Sequence, residues 1–166
     1  TFIKIGDFNF EALKYALLDK DYRVANTISS ISKSYLKSIT FSGGKLDGKK
    51  ISLSPDLNNF IGIRGSGKSS IIEILRYTLG IDLNKAAADV SYKNELVTYI
   101  LGSGGKVILE FHGVDNKDYR IERILGQVPS LYSIDGKLMD CSLNVVLNMP
   151  MYFGQKDLSN KKDSFE

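Results

Sequence analysis

Residues 62–69 read Gly62-Ile63-Arg64-Gly65-Ser66-Gly67-Lys68-Ser69, which fits the pattern G-x-x-x-x-G-K-[ST] at every fixed position. A backbone loop that wraps a phosphate needs glycines, because they let the chain fold tightly and bring its N–H groups to the anion. It also needs a helix directly behind it, whose free N–H groups and partial positive charge face the same anion. The flanking residues meet both demands. Residues 58–63 are a short apolar run that reads as a strand entering the loop, and Ile71, Ile74, Leu75 and Leu79 then recur at helical spacing. Glu73 and Arg76 fall off that stripe, and Gly80 stands where a helix C-terminus wants a left-handed residue.

The pattern assigns a task to most of its residues. Gly65, Ser66 and Gly67 bring backbone N–H groups to phosphate oxygens, with Arg64 beside them as a further contact whose task is left open. Lys68 reaches the β- and γ-phosphates as a mobile point charge, and Ser69 offers its hydroxyl to Mg²⁺. Ser70 bonds an α-phosphate oxygen from the first helical turn. The expected ligands are ATP and Mg²⁺.

Composition mostly excludes. The chain has 166 residues, 43% hydrophobic and 25% charged, enough for one real core. A net charge of +3 permits contact with nucleic acid without arguing for it. One cysteine, Cys141, excludes an internal disulfide framework and fits a reducing compartment. No apolar stretch approaches the roughly 20 residues of a membrane span, and the N-terminus lacks the basic and apolar regions of a signal peptide. The expectation is a cytoplasmic protein with no membrane partner. The missing initiator methionine and the polar run at 159–163 suggest a piece of something longer.

Elsewhere the spacing predicts a helix over 10–20 with Asn9 as N-cap, and a Ser/Thr-rich linker over 21–35. Strands are expected at 38–41 and 51–53, joined through Gly43-Gly44 and Asp47-Gly48. A helix falls within 85–101 and ends at the glycine cluster 102–105. Val107, Leu109 and Phe111 then alternate with Ile108, Glu110 and His112, and Asp115-Asn116 turns the chain into a partner strand at 119–125. Shorter strands are expected at 130–134 and 151–154. His112 reads as a strand residue and Cys141 has no paired base. The nine tyrosines and eight phenylalanines read as packing, and Lys45, Lys49 and Lys50 as a solvated hairpin edge that would touch DNA phosphates only in a larger assembly.

The run from Asn58 through the loop to Ser70-Ile71-Ile72-Glu73 resembles the opening of the SMC-like branch of the ABC ATPases. The resemblance covers residues 38–158. It implies an α/β P-loop NTPase fold, the N-terminal lobe of an ABC-type head, with a mixed sheet and an antiparallel β layer. One departure is Arg64, where many members have Asn. The resemblance also implies a Q-loop within Met151-Tyr152-Phe153-Gly154-Gln155, where Gln155 would contact Mg²⁺ and the attacking water and act with Lys68 in catalysis. The family's signature motif, its apolar run ending in Asp-Glu and its switch histidine have no counterpart here. Phe41-Ser42-Gly43-Gly44-Lys45 mimics the signature's Ser-Gly-Gly, but it precedes the loop and reads as a decoy.

Three segments follow from this. Residues 1–33 are a helical segment whose start, with Asp21-Tyr22-Arg23-Val24, resembles the end of a PHP-type phosphoesterase domain; an ordinary amphipathic helix is the alternative. Residues 34–158 are the ATP-binding lobe, and 159–166 a polar tail. The implied activity is ATP hydrolysis in a full-length, head-to-head homodimer acting in DNA repair, DNA maintenance or anti-phage defence, with DNA as a further partner. The rival readings are a GTPase or small-molecule kinase, and a nucleotide-switched interaction module without turnover. The GTPase is disfavoured because Asn84-Lys85 and Asn116-Lys117 each lack an Asp two residues on.

Overall fold

The computed structural model describes residues 1–27, 33–83 and 89–154. Contacts divide the chain into two compact units, Thr1–Ile31 and Ser32–Glu166.

In the first unit, strand β1 (Phe2–Ile3) is followed by helices α1 (Phe10–Leu18) and α2 (Lys20–Arg23) and by strand β2 (Val24–Ala25), which pairs antiparallel with β1. Capping chemistry starts α1 where expected, with the Asn9 side chain accepting the Ala12 N–H at 2.8 Å. The apolar stripe of α1 stays open, with Phe10 77% and Leu17 51% exposed. α2 and β2 occupy part of the stretch that reads as a linker.

The second unit runs β3 (Tyr35–Ser42), a 3-10 turn (Gly44–Leu46), β4 (Lys50–Ser52), α3 (Lys68–Thr78), α4 (Val90–Leu101), β5 (Lys106–His112), β6 (Asp118–Ile124), β7 (Ser130–Ser133) and α5 (Leu143–Val146). Its strands form one sheet in the order β4-β3-β5-β6-β7, and every pairing is antiparallel. The alternation on β5 sends Val107, Leu109 and Phe111 into the core at 0% exposure. There they join Ile39 and Phe41 of β3, Ile121 of β6, Ile71 and Ile74 of α3, and Val97 and Leu101 of α4.

Two local devices fix the helices that frame the loop. α3 ends in a Schellman arrangement: Gly80, at φ 69°, donates its N–H to Tyr77 O, and Ile81 donates to Arg76 O. α4 ends against the β3–β4 connection, where a Cβ on Gly44 would lie 2.3 Å from the carbonyl oxygens of Ile100 and Leu101. That close approach gives Gly44 a packing reason, and a Cβ on Gly43 would lie 3.3 Å from Gly105 Cα.

Three expectations need correction. The α/β class stands, but the sheet is antiparallel throughout among the described residues, not mixed. No strand forms at 58–63: Ile61 and Ile63 are 93% and 83% exposed, and none of the described strands pairs with them. A strand needs a neighbour to take its N–H and C=O groups. Here the carbonyls of Gly62 and Ile63 accept from Lys68 Nζ instead. The Asn58 side chain closes the turn before the run, accepting from Ser54 N–H and donating to the carbonyls of Ser54 and Asp56. Residues 151–154 also form no strand, being anchored by a side chain described below. Among the described residues no helix is long and apolar enough to cross a membrane.

Candidate phosphate-binding site

The loop at 62–67 enters α3 through glycines in left-handed conformations. Gly65 has φ 84° and Gly67 φ 86°, and a Cβ at either would meet nothing within 4 Å. Their glycines therefore supply backbone freedom and are not there to avoid a clash. Gly62 differs: a Cβ there would lie 2.6 Å from Ser66 Oγ. Gly67 is the N-cap of α3 and offers no side-chain bond, and the first intrahelical bond runs from Ile71 N–H to Gly67 O. The N–H groups of Lys68, Ser69 and Ser70 thus precede the helix's own ladder, the arrangement that favours an anion.

Lys68 folds back over this loop. Its ammonium donates to Gly62 O at 2.8 Å, Ile63 O at 2.7 Å and Ser66 Oγ at 3.2 Å. An ammonium has three donors, so a phosphate oxygen arriving here exchanges for at least one loop oxygen. Ser69 is exposed at the first turn, and Ser70 is buried. Two cavities flank the loop. One, of about 600 Å³, is lined by Arg64, Ser69, Glu73, Lys93, Tyr152 and Gly154 among others. The other, of about 590 Å³, is lined by loop residues 64–70 with Tyr92, Leu96, Tyr99 and Ile100 of α4. Arg64 borders both.

Behind Ser69 lies a buried polar cluster that helical spacing alone does not reveal. Glu73 and Arg76, off the apolar stripe of α3, are 5% and 6% exposed. Arg76 Nε donates to Glu73 Oε2 at 2.9 Å, and its Nη1 donates to Ile81 O at 2.8 Å. The Tyr152 hydroxyl donates to Glu73 Oε1. Its ring lies 5.7 Å from the Arg76 guanidinium and 5.4 Å from Lys93 Nζ. Tyr152 so ties the chain at 151–154 to α3 and brings Gly154 to the cavity that Ser69 borders. The i, i+3 spacing of Glu73 and Arg76 is the one local hint of the pair. Gln155 lies outside the described residues.

Away from the loop, His112 Nδ1 lies 2.9 Å from Asp118 Oδ1, and Lys37 donates to Asp118 Oδ2 at 2.7 Å. The Lys37 bond first, and the His112 bond second, hold the Asp118 carboxyl below the usual carboxylate range. A carboxylate lowered in the folded state stabilises it above the unfolded pKa, and this is lost as pH falls through the folded value. Asp118→Asn is therefore expected to flatten the loss of stability below about pH 4. The change is under about 1 kcal/mol because the pair is partly exposed. Urea unfolding at pH 3 and pH 7 measures it. Lys50, on edge strand β4, pairs with Glu110 at 3.3 Å, and Lys45 Nζ lies 4.2 Å from the Tyr99 ring centroid. Cys141 is exposed.

Among the described residues no group of three or more His, Cys, Asp or Glu side chains is placed to hold a metal ion. The exposed Ser69 hydroxyl fits a Mg²⁺ that takes its remaining ligands from phosphate oxygens and water. No family model matches the chain, and no curated protein matches it.

Proposed function

We propose that this chain is the ATP- and Mg²⁺-binding lobe of an SMC-like ABC ATPase. The observation that carries the reading is the phosphate-loop pattern at 62–69, met at every fixed position and followed directly by α3 with its uncapped N-terminus. The residues divide the work. Backbone N–H groups at 65–70 receive phosphate oxygens, while Lys68 supplies a positive charge that moves from the loop carbonyls to the β- and γ-phosphates. Ser69 holds the metal through its hydroxyl. Magnesium, when bound, neutralises charge on the phosphates. Tyr152, anchored on Glu73, leads the described chain as far as Gly154 at the cavity that Ser69 borders, and the role of Gln155 at the metal comes from the family resemblance.

On this reading the chain binds nucleotide by itself and hydrolyses it in a full-length homodimer, in the cytoplasm, on a pathway of DNA repair, DNA maintenance or anti-phage defence. These last features come from the family resemblance. The Ser69 role has its own test. Binding of ATP to the wild type is expected to be at least about tenfold tighter with Mg²⁺ than with EDTA, and Ser69→Ala to lose most of that difference. A variant that keeps the full Mg²⁺ effect shows that Ser69 does not hold the metal.

A further inference from the structure

α4 buries Lys93, Val97 and Leu101 and turns a different set outward. Tyr92, Leu96 and Tyr99 recur at i, i+4 and i+7, one face of a helix. Tyr92 is 61% and Tyr99 63% exposed, with Leu96 half-buried between them. All three line the cavity of about 590 Å³ whose opposite contributors are loop residues 64–70. That volume lies within the roughly 300–1,000 Å³ of small-molecule sites. One part of its lining is built to take an anion, and the other offers two phenol rings and a leucine. A ligand that satisfies both is anionic at one end and flat and aromatic at the other. The Lys45 ammonium already engages the Tyr99 ring, which leaves Tyr92 as the principal open platform.

We infer that the stripe Tyr92, Leu96 and Tyr99 is the base-binding platform of the nucleotide, an inference that rests on the nucleotide reading of the loop. Phosphates seated at 65–70 leave the nucleoside end in the same cavity, where the base stacks on Tyr92 and packs on Leu96. Stacking uses the π-face of a base and not its edge, so the platform holds a purine without choosing between adenine and guanine.

The test titrates the wild type, Tyr92→Ala and Tyr92→Phe with Mg-ATP and with Mg-tripolyphosphate, which carries phosphates and no base. Tyr92→Ala is expected to bind ATP about tenfold more weakly, with its tripolyphosphate affinity unchanged. Tyr92→Phe is expected to match the wild type for both ligands, since the ring and not the hydroxyl does the stacking. Equal ATP affinity in the alanine variant and the wild type overturns the platform and leaves the loop reading intact. So does an equal loss of both ligands in Tyr92→Ala, because the damage then lies in the loop. A wild type that binds neither ligand overturns the nucleotide reading, and the platform with it.

Discussion

Replacing Lys68 by alanine is expected to weaken Mg-ATP binding by about a hundredfold or more while the melting midpoint moves by no more than a few degrees. The two effects separate because of where the side chain sits. Its ammonium bonds the carbonyls of Gly62 and Ile63 and the Ser66 hydroxyl, all on an exposed loop. Water replaces those bonds when the lysine goes, so no buried polar group is left unpaired. Binding has no such substitute. Charge-assisted bonds contribute about 1.5–3 kcal/mol each, and losing two of them at the phosphates costs at least about 3 kcal/mol. A change of 1.4 kcal/mol is about tenfold in affinity. Lys68→Arg is expected to restore little of this, because a planar fork does not reproduce a compact charge on a flexible stem. Calorimetric titration beside a thermal melt measures both quantities. An unchanged affinity in a folded Lys68→Ala chain sinks the phosphate-loop assignment.

The largest effect on stability is expected at Arg76. Arg76→Ala removes the partner of Glu73, whose side chain is 7% exposed, and the donor to Ile81 O that braces the end of α3. Breaking a buried ion pair from one side typically costs about 3–5 kcal/mol, because a charge is left without compensation. The Tyr152 hydroxyl still donates to Glu73 but brings no charge. The double variant Glu73→Gln with Arg76→Met is expected to recover most of the loss, since an apolar stem replaces an ion that already carries a buried Nη2 without a partner among the described residues. Urea unfolding reads the difference as a shift in midpoint. A cost below about 1 kcal/mol for Arg76→Ala means that the pair does not bear on the fold as its burial implies.

What the sequence revealed about this fold divides by the range of the interactions involved. Elements set by neighbours in the chain are legible: Asn9 caps α1, Gly80 closes α3, and the alternation from Val107 to Phe111 names the buried face of β5. The loop belongs with them, since its glycines and the helix behind it act within ten residues of each other. Elements that need a distant partner are legible only in part: the strands expected at 38–41 and 51–53 form, and others do not. The apolar run at 58–63 has strand composition, but strand formation depends on a neighbour that no local pattern supplies, and none of the described strands pairs with it. The β1–β2 pairing joins Phe2 to Ala25 across two helices, and nothing in either two-residue strand marks it locally.

The site shows the same division. Every loop residue from Arg64 to Ser70 could be named from the pattern. Glu73 and Arg76 fall off the apolar stripe, yet both are buried; the Tyr152 hydroxyl, 79 residues beyond Glu73, donates to Glu73, and its ring lies 5.7 Å from the Arg76 guanidinium. Tyr92 carried no signal beyond its spacing from Leu96 and Tyr99. A helix face acquires a role only when folding sets it beside the loop, and a periodicity in sequence does not specify what a face will meet.

The central claim is that residues 62–69 hold the phosphates of ATP with Mg²⁺, and calorimetric titration of this chain with Mg-ATP and Mg-GTP tests it most directly. The account predicts saturable binding of one ATP, with GTP weaker as the ABC-type resemblance implies; stacking on Tyr92 serves both purines and does not make that difference. Equal binding of the two keeps the loop and contradicts the ABC-type lobe. A folded chain that binds neither contradicts the central claim itself.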